Sequence, residues 1–172
     1  SRIIHAGRDG GLADLGQRVR QTIAELLVRL QKRTGVAPAQ IYKATVAGNT
    51  TMTHLFLGLP PASIRLAPYI PTVNLPAPIL AHEIELGIHP LASVDCLPGV
   101  ASYVGSDITA GVLACGLSET DLLTLFIDVG TNGEIVLGTA VTCLGANSGE
   151  SIWLLPASAS GADAIGAPFL GW

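Results

Sequence analysis

Between Asp14 and Thr34 the apolar side chains Leu15, Val19, Ile23, Leu26, Leu27 and Leu30 recur in steps of three and four. An α-helix gathers that spacing onto one face, so a helix over Leu15–Arg33 is predicted, ended by Gly35 and Pro38. The next run, "IYKATVAGN" from Ile41 to Asn49, reads as a buried strand entering a Gly-Asn turn. "TTMTHLFLGLPP" follows as a short helix closed by Gly58 and two prolines. Helix, strand, turn and helix in that order predict an α/β fold with a largely parallel sheet.

The remaining chain is less regular. Residues 60–92 are rich in proline and lack period, which predicts a long surface excursion with room for a short strand. "VDCLPGVASYVGSDITAGVLACGL" predicts a short strand, a Pro-Gly turn and a helix from about Tyr103 to Cys115. That helix holds Gly105, Ala110, Gly111 and Ala114, with Gly116 beyond it. Glycine in a helix interior costs up to ~1 kcal/mol against alanine. Close approach of another backbone is the expected reason. "TLFIDVGTNGEIVLG", Thr124 to Gly138, then reads as two strands, Leu125–Asp128 and Glu134–Gly138, around a tight turn signalled by Asn132-Gly133. After Gly138 small residues dominate and no pattern emerges.

Composition narrows the class. Of 172 residues, 49% are apolar and 13% charged, the balance of a compact globular chain. Apolar runs are broken by Arg65, by prolines near Leu75 and by Asp107, so no membrane span is expected, and "SRIIHAGRDGG" is no secretory signal. All nine lysines and arginines lie at or before Arg65, whereas ten of the thirteen carboxylates follow it. Arg18, Arg20, Arg29, Lys32 and Arg33 spread over the long helix, a solvated face rather than a nucleic-acid site in a chain that is acidic overall. Cys96, Cys115 and Cys143 show neither a disulfide framework nor a ligand spacing, so each is expected to be a small buried residue in a reducing, cytoplasmic setting. His5, His54, His82 and His89 also lack ligand spacing and are expected to be structural or surface residues.

Three turns carry chemistry. Asp128 stands where a strand ends and is followed by Gly130, Thr131, Asn132 and Gly133. There a carboxylate can hold a metal-bound water while glycines let amides approach a ligand. An ordinary Asn-Gly hairpin explains the same residues. Gly48, Asn49, Thr50 and Thr51 lie between strand and helix, where amides can face an anion, or where Thr50 simply caps the helix. Asp107, near the start of the small-residue helix, either opposes the helix dipole or points into a cleft.

"VAGNTTMTHLFLGLPP", "LPGVASYVGSDITAGVLACGL" and "IDVGTNGEIVLG" together resemble the reductive activators of corrinoid-dependent proteins, a branch of the actin-like ATPases. The likeness covers about Ser1 to Gly138. It implies a partial actin-like (ribonuclease H-like) fold, with residues 1–117 closing a first lobe that includes the connecting helix. Residues 118–172 would open a second lobe carrying the phosphate hairpin. By the same resemblance Asp128 would be the catalytic residue, orienting the water shell of Mg²⁺. Gly130, Thr131, Asn132 and Gly133, with Gly48, Asn49 and Thr50, would contact ATP phosphates. Asp107 would be a cleft residue, and Gly111 and Ala114 would sit at the hinge.

The cofactors implied are ATP and Mg²⁺, with an iron–sulfur cluster expected only outside this chain. The partner implied is a corrinoid protein returned from Co(II) to Co(I), with a homodimer left open and neither nucleic acid nor membrane involved. The superfamily's earlier Asp-Gly-Thr turn and later adenosine motif do not occur. The chain is therefore expected to begin after the first, and a truncation or frame change near Val141 would account for the tail. Alone it is expected to be inactive. Two alternatives stay open: a phosphotransferase of the same superfamily and a non-catalytic interaction module.

Overall fold

The computed structural model describes residues 2–130, 133–140, 142–147 and 152–156. A short helix α1 (Arg2–Ala6) leads into α2 (Gly11–Thr34), which contains the predicted Leu15–Arg33. Gly35 ends α2 in the left-handed region at φ 75°, its amide bonded to the Gln31 carbonyl. Val19, Ile23 and Leu27 pack on a core of Phe56, Ala81, Ile84, Leu86 and Val94. Leu26 and Leu30, predicted on the same stripe, remain 55% and 48% exposed, so the buried face is narrower than the apolar pattern. Arg18, Arg29, Lys32 and Arg33 are exposed, as a solvated face requires.

Strand β1 (Lys43–Val46) is the central part of the predicted Ile41–Asn49 run, but it is not buried: Ala44 and Val46 are half-buried against the first core, while Lys43 and Thr45 are exposed. It is followed by α3 (Thr50–Leu57) and α4 (Ala62–Arg65), then by β2 (Ile79–Leu80) and β3 (Ser93–Cys96). The strands form a small sheet in the order β1-β3-β2, with Ala44 beside Val94 in the parallel pair and Ile79 beside Val94 in the antiparallel one. The expectation of a largely parallel sheet is therefore corrected: β1–β3 is the one parallel pair among the described strands. Parallel pairing needs a long crossover, which α3 and α4 supply between β1 and β3; the strands from residue 124 onward follow one another by short loops, which allow only antiparallel neighbours.

The proline-rich segment is a surface excursion only in part: no residue from 65 to 80 is buried and its short strand is present as β2, but the rest turns inward. Ile64, Ala81, Ile84, Leu86, Ile88 and Ala92 are all buried in the first core or beside it. Prolines erase the period, yet short turns still deliver single apolar side chains inward. Each fully buried isoleucine or leucine among them contributes about 1.5–3 kcal/mol.

Helix α5 (Ser106–Ala114) starts three residues later than predicted, because Ala101 and Val104 close a tight turn ahead of it. It packs on a second core of Val100, Val104, Ile108, Val112, Leu117 and Val136. Strands β4 (Thr124–Val129) and β5 (Gly133–Gly138) form the expected hairpin. The stretch that the sequence left unread adds β6 (Thr142–Asn147) and β7 (Ile152–Pro156), giving the antiparallel order β4-β5-β6-β7. Along the hairpin, Phe126, Asp128, Glu134 and Val136 face inward. Leu125, Ile127, Val129, Ile135 and Leu137 stand exposed on the outer face.

Cys96 is buried as expected, but Cys115 is exposed, since α5 ends there and its last residues face outward. Among the described residues no helix is long and apolar enough to cross a membrane.

Candidate functional site

Helix α5 positions the site by being fastened at both ends. At its start, the Gly48 carbonyl accepts the amides of Ser106 at 2.9 Å and Asp107 at 3.3 Å, while the Gly48 amide donates to Ser106 Oγ at 3.0 Å. A Cβ on Gly105 would lie 2.4 Å from Asn49 Cα and 2.5 Å from the Gly48 oxygen. The backbone at Gly105 is extended, so glycine is needed there for space. The close backbone approach anticipated for this helix thus occurs at Gly105. Gly111 meets a side chain instead, since its Cβ would fall 2.3 Å from Phe126 Cζ. One glycine seats the β1–α3 turn on α5, and the other seats the hairpin on it.

Between these elements lies a cavity of about 540 Å³. Asn49, Thr50 and Thr51 enter it from the β1–α3 turn, Asp107 from α5, and Asp128, Gly130 and Glu134 from the hairpin. Arg2 and Arg65 line it from α1 and α4, with Ser102 and Tyr103 from the loop before α5. The predicted residues Asp128, Gly130, Asn49, Thr50 and Asp107 are therefore brought together. Gly48, Gly133, Gly111 and Ala114 do not line the cavity; Gly48 is spent on fastening α5. Thr131 and Asn132 fall outside the described residues.

Local chemistry explains the turn. Asn49, not Thr50, caps α3: its Oδ1 accepts the Met52 amide at 2.9 Å. Thr50 is buried and donates its hydroxyl to the Ala101 carbonyl at 2.7 Å, one residue too late in the chain to cap. Both side chains thus serve the fold, and with the Met52 amide taken by Asn49 the turn offers a ligand the Thr50 and Thr51 amides, which have no intrahelical acceptor.

The carboxylates shape the electrostatics. Asp128 and Glu134 are paired directly across β4 and β5. Burial pushes the Glu134 carboxyl above its ordinary range, and the charges of Asp128 and Asp107 push it further. Asp107 is also raised, first by burial and then by Asp128, although its Oδ1 accepts the Ile108 amide. Asp128 raises both Asp107 and Glu134, and negative charge crowded in this way calls for a cation. Among the described residues, however, no three His, Cys, Asp or Glu side chains are placed to hold a metal directly. That donor set fits Mg²⁺, which keeps several of its waters and is reached through them.

Sequence reasoning missed Glu134, Arg2 and Arg65. Glu134 was legible in principle, since a hairpin that pairs Val129 with Gly133 must set Asp128 opposite Glu134. Nothing local marks the two arginines, which reach the cavity only through tertiary packing.

Residues 1–120 match the family described as the RACo middle region, and the chain belongs to that family. It is similar to the corrinoid activation enzyme RamQ of Eubacterium limosum, with 34% identity over 139 residues, 80% of this chain and 23% of that protein. Its structure is similar to that of a reductive activator for corrinoid,iron-sulfur protein, with a TM-score of 0.82 and 47% identity, over 85% of this chain and 23% of the other. The chain thus spans about a quarter of the length of these relatives.

Proposed function

We propose that this chain is the nucleotide-handling segment of a reductive activator that returns a corrinoid protein from Co(II) to Co(I). The observation that carries the reading is the single cavity shared by Asp128, Asp107, Glu134, Gly130 and the first turn of α3. In this reading the chain joins the end of one actin-like lobe, residues 1–117, to the start of a second, residues 118–172. Asp128 acts on Mg²⁺ through water, and the amides around Gly130 and Thr50 take phosphate oxygens, with Thr131 and Asn132 completing the hairpin turn. The bound metal would neutralise phosphate charge. Gly111 and Ala114 lie on the helix about which the lobes close. An iron–sulfur centre outside this chain would supply the one electron, and lobe closure on ATP would help make its uphill transfer to cobalt possible. The names of both relatives support a corrinoid protein as partner.

The test uses the full-length protein that carries this segment. Asp128→Ala is expected to lose Mg-ATP binding by calorimetry and ATP-dependent corrinoid reduction by absorbance, with an unchanged circular dichroism spectrum. Wild-type reduction by the variant would show that the turn is only a hairpin.

A further inference from the structure

Arg2 and Arg65 have no part in the reading above, yet both line the cavity. They belong to α1 and α4, which pack against each other. Among the described residues the ion pairs are His5–Asp14, Arg18–Asp14 and Lys43–Asp95. Neither guanidinium therefore pairs with Asp107, Asp128 or Glu134, although all five groups share one cavity. Arg2 instead directs Nη1 to the Met52 sulfur at 3.3 Å, a weak acceptor that a stronger one would displace. Two cations and three anions left unneutralised in one space suit a ligand bearing both signs. Its metal ion answers the carboxylates and its anion the guanidiniums. A planar guanidinium donates two parallel hydrogen bonds to a phosphate, which a lysine cannot imitate.

We infer that Arg2 and Arg65 are the anion-holding side chains of this cavity and that they bind the phosphate chain of a metal-complexed polyphosphate. The inference rests on the nucleotide reading but concerns residues outside the hairpin and the β1–α3 turn. It also sets the ligand class. An anion without its metal meets three carboxylates and is repelled, whereas the metal complex satisfies both sets of charges.

The experiment is calorimetry on the full-length protein with Mg-ATP and, separately, with magnesium tripolyphosphate, which lacks the nucleoside. Arg2→Ala and Arg65→Ala are each expected to weaken both ligands roughly tenfold or more, the loss of a charge-assisted contact. Arg65→Lys should recover only part of the affinity, and melting temperatures should stay near wild type. Binding of magnesium tripolyphosphate but not of Mg-ATP, lost in the variants, would support the arginines and overturn the nucleotide reading. Wild-type binding of both ligands that the double variant retains would overturn the arginines and leave the nucleotide reading standing. No binding of either by the wild type would overturn both.

Discussion

Asp128 and Glu134 stand directly opposite each other across the β4–β5 hairpin, two like charges on one face of a sheet. Such a pair destabilises a hairpin by roughly 0.2–1 kcal/mol relative to a neutral one. A carboxyl whose pKa is higher folded than unfolded holds more protons in the folded state. Stability therefore falls as pH rises from the ordinary Glu value of 4.5 through the raised one. Glu134→Gln should raise the melting temperature at neutral pH in the absence of divalent metal and flatten that fall. Thermal unfolding between acid and neutral pH, with and without Mg²⁺, reads both effects; Mg²⁺ should stabilise the wild type more than the variant.

Gly105→Ala should be among the most damaging single changes in the chain. Its Cβ would meet Asn49 Cα, the Gly48 oxygen and the Thr50 nitrogen, all backbone atoms with no side chain to move aside. The expected cost is ~1–3 kcal/mol or more, despite the better helix propensity of alanine nearby. Urea unfolding measures it.

At Gly111 the obstacle is the Phe126 ring, which can be trimmed. Gly111→Leu should lower stability by ~1–3 kcal/mol, and Gly111→Ala by less. Combining Gly111→Ala with Phe126→Leu should recover part of the loss. The coupling energy in that double-mutant cycle should reach ~0.5 kcal/mol or more, since the two residues touch. Additive losses would mean the ring is not the obstacle.

His54 is buried and its tautomer is fixed by its partners: Nδ1 donates to the Thr50 carbonyl at 2.7 Å, and Nε2 accepts the Thr72 amide at 3.2 Å. Protonation would set Nε2–H against an amide N–H. Burial also holds the imidazole pKa below its ordinary 6.5. The unfolded chain then binds the proton more readily, so stability is lost as pH falls from 6.5 through the depressed value. In chemical unfolding at stepped pH, His54→Gln should start less stable but lose that part of the slope.

The long helix, the β1–α3 turn and the hairpin were legible because each has a local signature: a period of three and four, a Gly-Asn turn, an Asn-Gly pair. The burial of Ile64 and of the stretch 81–92 was not, because Ile64, Ala81, Ile84, Leu86 and Ile88 turn inward singly, through turns that leave no period. Nor were β6, whose small residues resemble loop, and β7, a single short apolar run set among small residues. At the site, Asp128 was recognisable by its place at a strand end. Glu134 needed the strand register, and Arg2 and Arg65 needed the packing of α1 on α4, which no short window of sequence contains.

The hairpin also has two unlike faces, and ionic strength should act on them in opposite ways. Added salt screens the repulsion between Asp128 and Glu134 and so steadies the inner face. On the outer face, Leu125, Ile127, Val129, Ile135 and Leu137 stay in contact with water. A strongly excluded salt such as sulfate makes that contact more costly and favours self-association through it, along an edge strand, β4, that already offers unpaired backbone groups. The conditions that best calm the carboxylates are thus those in which the isolated chain is least soluble. Chloride at moderate concentration screens the charges with less of that penalty.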